Sequence, residues 1–596
     1  MSMDECLGLL PEWDLTDLYS DKESEELKCD IENSFEEAKA FEELYKHKVG
    51  KLSGTELAVA IEKFERIDEK LSGILSFAGL VHAGNVSDPE IGRFYQTSQE
   101  KVNEISSSLL FFTLEINQID DATLDKLLKT DELLHYYPWL RDLRAMKPHQ
   151  LNDKLEELLH EKSMSGRTAW VRLFDQTIAE MRFPFRGRKL TETEVLNLFT
   201  DPKTEVRKDA AECFGRVLGE HAKTFTLITN TLAKDKEIEN RWRGFDRPIS
   251  ARNLSNFVED EVVDALIEAV RSAYPRLSHR YYALKAKWFG SEQLDYWDRN
   301  APLPYSDNRI IAWNDAKQTI IKAYGQFSPR LARVGQRFFD NAWIDAPVRP
   351  GKASGAFAHP TVPSAHPYLL LNYQGKVRDV MTLAHELGHG VHQVLAAEQG
   401  HLMADTPLTL AETASVFGEM LTFKSMLKTT HNPAERFAMI AGKVEDMLNT
   451  VVRQIAFCEF ETNVHAERKI GELTPDRIGD IWLKSQEESL GPAVKFSSVY
   501  KNYWMYIPHF IHSPFYVYAY AFGDCLVNSL YSVYEAADSN FVDKYLHLLS
   551  AGGTLRHKEL LAPFNLNAAD PDFWNKGLGV IEGFIDELET IDLQRK

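Results

Sequence analysis

The stretch His385-Glu386-Leu387-Gly388-His389 places two histidines four residues apart, with a glutamate directly after the first. Residues 379–398 around it contain no proline, and their apolar residues recur at helical spacing, at Val380, Leu383, Ala384, Leu387, Val391 and Leu395. The spacing predicts a helix, whose rotation of about 100° per residue brings His385 and His389 within roughly 40° of each other. Two imidazoles on one helix face, with a carboxylate beside a metal-bound water, are typical of zinc sites with a general base. We therefore expect His385 and His389 to bind zinc and Glu386 to act as the base.

A catalytic zinc site needs a third protein ligand and an open position for water. Glu412 follows His385 by 27 residues, after a polar stretch with a proline (404–407) that can return a second helix to the first. Thr409-x-x-Glu412 is also a capping box, in which the glutamate only satisfies a backbone N–H. His392 is a rival ligand on the same helix face as His385. Three ligands from one helix would strain a tetrahedral site. We therefore interpret His392 as a residue that either supports a metal ligand or packs in the core.

A second constellation lies near the C-terminus, where His509 precedes Ser513-Pro514. Serine followed by proline is typical of an N-cap and the first residue of a helix. In such a helix Tyr516 and Tyr520 share one face, one turn apart. Hydrolysis of an amide at zinc forms an oxyanion, which tyrosine O–H and imidazole N–H groups stabilise. The alternative is an aromatic-rich buried helix, in a chain with 22 tyrosines.

With these motifs in this order, the chain resembles the oligoendopeptidase F branch of the thimet oligopeptidase family of zinc metallopeptidases. The resemblance rests on the zinc motif, on Glu412 in its Ala-Glu-Thr-Ala-Ser context and on His509 seven residues before Tyr516. It also rests on two stretches before the zinc motif, Gly351-Lys352-Ala353-Ser354-Gly355-Ala356-Phe357 and Tyr368-Leu369-Leu370-Leu371-Asn372. The match is clearest from about residue 200 to 585.

The resemblance implies one Zn²⁺ per chain, bound by His385, His389 and Glu412. It implies Glu386 as general base, and His509 and Tyr516 as donors to the transition state. The glycine-containing loop is interpreted as a mobile cover over the substrate, and stretch 368–372 as an edge that binds a peptide backbone by strand addition. Substrate contacts are accordingly predicted for Gly355, Ala356, Phe357, Tyr368, Asn372 and Tyr520. Supporting roles beside the metal stay open for His392, Asp405 and Glu419.

The composition is that of an ordinary globular protein, with 44% hydrophobic and 26% charged residues among 596. Five scattered cysteines argue against a disulfide framework. The first residues show no basic region followed by an apolar core, so a cytoplasmic location is expected. The net charge of −21 disfavours nucleic acid and anionic membranes as partners, and no stretch reads as a membrane span.

The pattern of the whole chain predicts a predominantly helical fold with a small β element beside the active site. Amphipathic helical segments include 56–77 and 120–134, and helices are predicted to begin at Thr191-x-x-Glu194 and at Thr474-Pro475, the latter ending at Gly491-Pro492. We predict an N-terminal helical region over residues 1–200 and a zinc-peptidase region over 201–596. The resemblance implies a two-part helical shell around a deep channel that admits short unfolded peptides.

The predicted function is hydrolysis of internal bonds in short peptides. Two alternatives remain. A metallocarboxypeptidase would share the zinc motif but would also carry a cationic anchor for the C-terminus of the substrate, which the sequence does not exclude. A zinc-binding scaffold without activity would have no need of Glu386, so the presence of that carboxylate argues against it.

Overall fold

The computed structural model describes residues 6–163, 165–303, 309–536 and 540–595, leaving out the side chains of 157, 160, 161 and 595. Most of these residues are helical, and the strands are only two or three residues long. The predicted predominantly helical fold with a small β element is therefore confirmed. Within the described part of the chain, every helix is too short or too polar to cross a membrane.

The chain forms two compact units, and each is assembled from three separate stretches of sequence. The first unit comprises Met1–Lys147, Asn308–Thr429 and Ala537–Phe564, and the second comprises Pro148–Asp307, Thr430–Ala536 and Asn565–Lys596. The division of the sequence into regions 1–200 and 201–596 stays a prediction, as does the channel.

In the first unit, the helices of the N-terminal stretch pack around their own apolar core, which also includes Met403. The longest of them, Gly54–Gly84, begins at a capping box in which Ser53 Oγ accepts the Glu56 N–H and the Glu56 carboxylate accepts the Ser53 N–H. The helices of this unit are Glu25–Tyr45, Gly54–Gly84, Pro89–Ser107, Leu110–Gln118, Asp121–Leu127, Asp131–Leu134, Tyr137–Ala145, Trp313–Phe327, Pro329–Asp340, Val377–Ala396, His401–Ala404, Leu408–Thr429, Phe541–Ser550 and His557–Leu561. The predicted segment 56–77 lies within Gly54–Gly84, and the predicted segment 120–134 is divided into two short helices.

A three-stranded sheet of the first unit lies in the sequence just before the zinc motif. Strand Tyr368–Leu370 is central: it pairs parallel with Ile344–Asp345 and antiparallel with Phe357–His359. The prediction that stretch 368–372 offers a free edge to a peptide is therefore wrong, because both edges of that strand are occupied by neighbours. The two outer strands are Ile344–Asp345 and Phe357–His359, and the second of them follows the glycine-containing loop directly.

The second unit is also helical, with two small two-stranded sheets. Phe183–Phe185 pairs antiparallel with Arg188–Leu190, and Leu294–Asp295 pairs parallel with Val494–Lys495. Its helices are Asp153–Ser163, Arg167–Glu180, Glu192–Asn197, Thr204–Glu220, Ala222–Arg243, Ser250–Ser255, Asp260–Ala273, Ser278–Trp288, Pro433–Thr450, Val452–Ile470, Pro475–Leu490, His509–His512, Tyr518–Glu535 and Pro571–Arg595. Both predicted helix starts are confirmed, since Thr191 and Thr474 cap the helices that follow them, and Gly491 ends the second helix.

Candidate metal centre

The two histidines of the zinc motif lie on helix Val377–Ala396 of the first unit, as the sequence predicts. The apolar positions of this helix are buried, which orients it in the unit and determines which residues face away from the core. The rings of His385 and His389 lie edge to face, with centroids 4.9 Å apart. One helix thus supplies two imidazoles to a single point.

Glu412 reaches the two imidazoles from helix Leu408–Thr429, which packs directly against helix Val377–Ala396. Its Oε2 lies 3.3 Å from His385 Nε2 and 3.4 Å from His389 Nε2. Since the helix begins at Leu408, Thr409 lies inside it and is not its N-cap. The capping-box alternative is therefore wrong for Glu412, whose carboxylate is directed to the histidines and not to a helix end.

The close approach of the two helices depends on Gly388 in the middle of the motif. A Cβ at this position would lie 2.5 Å from the Ala414 carbonyl oxygen and 2.6 Å from Ser415 Cα. Only hydrogen fits there, so the glycine allows the backbone that carries Glu412 to come near the histidines. This role of Gly388 was not predicted from the sequence, although the small residues Ala414 and Ser415 on the facing helix are consistent with a close helix approach.

The three ligand atoms fit a zinc ion by their spacing and by their type. The ligand atoms of His385, His389 and Glu412 all lie within 4.8 Å of one another. A tetrahedron with bonds of about 2.0–2.1 Å has edges of about 3.3–3.4 Å, which matches both measured histidine–glutamate separations. Two imidazoles and one carboxylate are also a donor set typical of catalytic zinc. The residues present therefore fit the metal.

A second carboxylate orients the first histidine. Glu419 Oε2 lies 3.2 Å from His385 Nδ1, so it can accept the proton on that nitrogen and leave Nε2 for the metal. Ser415 Oγ donates a 2.7 Å hydrogen bond to Glu412 Oε2 and holds the third ligand in turn. This contact favours a supporting role for Glu419 beside His385.

The charges of the site favour a cation between the three ligands. Burial by itself lowers the pKa of His385, but hydrogen bonds to Glu412 and Glu419 outweigh it and hold that pKa well above its usual value. Burial raises the pKa of Glu412, but hydrogen bonds to His385 and His389 hold it well below its usual value. The carboxylates thus stabilise positive charge at this point.

Glu386, the predicted base, lies on the same helix and is only 8% exposed. Burial raises its pKa, while the nearby His385 and His389 and the backbone N–H of Ala358 act in the opposite direction. Ala358 belongs to the outer strand Phe357–His359. The carboxyl group is therefore placed between the metal ligands and the strand edge, with a raised proton affinity suited to a general base.

His392 and Asp405 lie outside the set of three ligands. His392 is 4% exposed, and its Nε2 lies 3.4 Å from Thr406 Oγ1. Burial, with His389 adding to it, lowers the pKa of His392 to about 4, so this ring is neutral at pH 7. Burial also raises the pKa of Asp405. His392 packs as a neutral side chain behind the ligand His389, in agreement with its interpretation as a packing residue.

The glycine-containing loop is anchored at both ends. Gly351 and Gly355 both have a φ of about +82°, which favours glycine. Lys352 Nζ is buried and donates to Asp345 and to the carbonyls of Pro347 and Leu371. Asn372 Nδ2 donates to the carbonyls of Ala353 and Gly355.

Tyr368, predicted to contact substrate, is fully buried, and its hydroxyl donates to the Asp14 carbonyl. Its side chain is thus occupied within the fold. Gly355 and Ala356 lead into the strand Phe357–His359, which pairs on one side with Tyr368–Leu370 and, among the described residues, has no strand paired on its other side.

A cavity of about 670 Å³ in the first unit reaches the metal centre. His389 and Ala411 line it on the side of the ligands, and Arg337 and His401 line it elsewhere. It also includes the residues that follow the outer strand, from Pro360 to Val362. The cavity is therefore lined both by one candidate metal ligand and by the residues that directly follow the strand Phe357–His359.

His509, Tyr516 and Tyr520 belong to the second unit, where the structure brings them together. His509 Nε2 lies 3.2 Å from the Tyr520 hydroxyl, and the ring of Tyr516 is near-parallel to that of His509 with centroids 6.2 Å apart. Burial lowers the pKa of His509, and the nearby side chains of Arg453 and His512 lower it further. The imidazole is therefore a neutral N–H donor at pH 7.

The predicted start of a helix at Ser513-Pro514 is wrong. The helix that carries Tyr520 begins at Tyr518, so Tyr516 lies before it and not on its face. The physical reason is Phe515, whose φ of +61° is left-handed and cannot belong to an α-helix. The predicted cluster survives because a turn, not a helix face, brings Tyr516 beside Tyr520, with ring centroids 5.2 Å apart.

Two segments of the chain match known protein families. Residues 321–580 match the family described as Peptidase family M3, and residues 115–183 match the one described as Oligopeptidase F. The chain belongs to peptidase family M3. The predicted resemblance to oligoendopeptidase F is confirmed.

Individual relatives of this M3 chain match over nearly its whole length. It is 27% identical to "Oligoendopeptidase F, chromosomal" of Lactococcus lactis subsp. cremoris, over 97% of both chains. It is 25% identical to "Oligopeptidase PepF" of Bacillus subtilis (strain 168), over 92% of this chain and 83% of the relative. The crystal structure of oligoendopeptidase-F from Enterococcus faecium shares the fold, with a TM-score of 0.74 and 21% identity over 96% of this chain and 99% of the other.

Proposed function

We propose that this M3 chain is a zinc-dependent metalloendopeptidase that cleaves internal bonds of short, unfolded peptides. The observation that carries the proposal is the convergence of His385, His389 and Glu412, whose possible ligand atoms all lie within 4.8 Å of one another, with the buried carboxyl group of Glu386 on the same helix as the two histidines. Relatives named oligoendopeptidase F support the class of substrate. One Zn²⁺ per chain is the proposed cofactor.

His385, His389 and Glu412 would hold the metal, and Glu419 would keep His385 in the correct tautomer. When bound, Zn²⁺ lowers the pKa of a coordinated water toward about 7 and polarises the scissile carbonyl. Glu386 accepts a proton from the attacking water and returns it to the leaving amine. Its raised pKa suits both steps, because the group must bind the proton and then release it.

His509 and Tyr516 of the second unit are the proposed donors to the oxyanion. The neutral imidazole of His509 has an N–H to donate, and the phenol of Tyr516 donates without carrying charge. Tyr520 has a different proposed task, because its hydroxyl lies 3.2 Å from His509 Nε2 and so orients that ring.

The outer strand Phe357–His359 is the proposed docking edge for the peptide backbone, in place of stretch 368–372. Gly355 and Ala356, just before it, would extend the contact. The cavity beyond Pro360 would accept side chains of the peptide on one side of the cleaved bond. The cytoplasmic location and the absence of nucleic-acid and membrane partners stay predictions.

The deciding experiment uses an internally quenched peptide of about ten residues, blocked at both ends. The proposal expects cleavage that a chelator abolishes and that one equivalent of Zn²⁺ per chain restores. A carboxypeptidase would leave the blocked peptide intact and would cleave only the same peptide with a free C-terminal carboxylate. A zinc-binding scaffold would cleave neither the blocked nor the unblocked peptide.

The matched variant Glu386→Gln keeps all three ligands and the shape of the side chain but removes the base. We expect zinc content to stay at one per chain and turnover to fall at least a thousandfold, which is about 4 kcal/mol of barrier. Normal turnover with normal zinc would show that Glu386 is not the base.

A further inference from the structure

The backbone at Phe515 adopts a conformation that its side chain disfavours. Its φ is +61°, in the left-handed region, and its ring is fully buried. Bulky residues rarely occupy this region, so the surrounding structure must impose it. Phe515 directly precedes Tyr516, and the turn at Phe515 therefore determines the direction in which the chain delivers the Tyr516 phenol.

A buried carboxyl group holds this turn. Glu461 lies on helix Val452–Ile470 and is only 2% exposed, and its Oε1 accepts a 2.9 Å hydrogen bond from the Phe515 N–H. Among the described residues, its Oε2 has no hydrogen-bond partner, and no ion pair is formed by the group. Burial of a carboxyl group without an ion pair destabilises the folded state, so we expect a functional role for Glu461 at this position.

Two arginines also bind the same segment. Arg167 Nη2 donates to the carbonyls of Ile511 and His512, at 3.0 and 2.7 Å, and Arg252 Nε donates to the carbonyl of Pro514 at 3.4 Å. All of these contacts lie within the second unit. The arginines donate to backbone carbonyl oxygens, whereas Glu461 accepts a hydrogen bond from a backbone N–H of this segment.

The surroundings of the carboxyl group are cationic and aromatic. Lys236 Nζ lies 6.0 Å from the centre of the Phe515 ring, and the ring of His465 lies 4.9 Å from it. Burial raises the pKa of Glu461 to about 8, although the Phe515 N–H, Lys236 and Arg252 oppose the rise. The carboxyl group is therefore mostly protonated and uncharged at pH 7. Glutamine, which is also uncharged, can replace it as the acceptor of the Phe515 N–H.

We propose that Glu461 is a positioning residue for the reaction, which locks the turn at Phe515 and thereby aligns the Tyr516 hydroxyl with the His509 ring. The assignment rests on the proposed function, in which Tyr516 and His509 donate to the oxyanion. Displacement of a donor by about 1 Å is enough to lower a rate on the order of 100-fold.

The test compares Glu461→Gln with Glu461→Met, which is similar in size but has no oxygen to accept the Phe515 N–H. With the blocked peptide, we expect Glu461→Gln to keep kcat within about threefold and Glu461→Met to lose on the order of 100-fold in kcat, with KM and zinc content nearly unchanged. Gln454→Met, on the same helix, is the control and should keep normal kcat. Normal kcat in Glu461→Met would overturn the proposal.

A double-mutant cycle separates positioning from general destabilisation. If Glu461 acts through Tyr516, adding Glu461→Met to the Tyr516→Phe variant should lower kcat by at most about a further threefold. A double variant whose loss of kcat equals the product of the two single losses would refute this. If Tyr516→Phe alone leaves kcat unchanged, the donor role of Tyr516 fails and the proposal fails with it. If Tyr516→Phe is slow but Glu461→Met is normal, only the proposal fails.

A second variant covers the case in which Glu461→Met does not fold. Glu461→Asp keeps the acid but withdraws it by about one C–C bond length from the Phe515 N–H. We expect a similar loss of kcat with an ordinary melting temperature. Wild-type kcat in a folded Glu461→Asp protein would refute the positioning role.

Discussion

Gly388→Ala offers a quantitative test of how the metal centre is assembled. The added Cβ would lie 2.5 Å from the Ala414 carbonyl oxygen, while ordinary contact begins near 3.4 Å. The two helices must therefore separate locally by about 0.9 Å. This shift moves Glu412 away from the histidines, by an amount close to half of a zinc–ligand bond of about 2.0 Å.

The expected cost has two parts. Overpacking of this kind typically destabilises a protein by about 1–3 kcal/mol, while alanine in a helix gains about 1 kcal/mol over glycine. The net effect on folding is then a loss of up to about 2 kcal/mol. The effect on zinc affinity is more direct than the effect on folding, because one ligand is displaced. We expect zinc to bind 10- to 100-fold more weakly.

The assay is competition of the purified protein with a zinc chelator, accompanied by thermal melts and peptide turnover. Gly442→Ala is the matched control, since Gly442 also lies in a helix but a Cβ there meets nothing within 4 Å. The control should be as stable as the wild type or more so, with normal zinc affinity. Wild-type zinc affinity and turnover in Gly388→Ala would refute the argument that the glycine sets the helix spacing.

Three further predictions follow from the same geometry. Glu412→Gln removes the charged ligand, so zinc should be lost on dialysis, and full occupancy with normal activity would contradict the ligand role. Tyr516→Phe should lower kcat and kcat/KM alike by about a hundredfold, with a smaller loss in Tyr520→Phe, and steady-state kinetics decide it. Because the pKa of Glu461 is raised to about 8 when folded, its contribution to stability is complete below about pH 4.5 and is lost as the pH rises toward 8. Glu461→Gln should gain stability relative to wild type over that window, and parallel unfolding curves at pH 5 and pH 8 would contradict this.

The local pattern of the chain was sufficient for the elements of the site. The apolar spacing around His385 predicted the helix, and its rotation placed two imidazoles on one face. The capping residues Thr191 and Thr474 were read correctly for the same reason. These features depend on residues within one or two turns of each other, and such short-range geometry is contained in the sequence itself.

Only the tertiary structure decided how these elements meet. Whether Glu412 is a ligand or a cap depends on the helix that Gly388 allows to approach, and stretch 368–372 became a central strand because two distant segments pair with it. The predicted helix start at Ser513-Pro514 failed because Phe515 is left-handed, in a turn whose N–H donates to Glu461, 54 residues away in the sequence. An unpaired N–H in the interior costs about 1–3 kcal/mol, which is comparable to the cost of one strained backbone conformation, so a buried hydrogen bond from a distant helix compensates for the strain at Phe515.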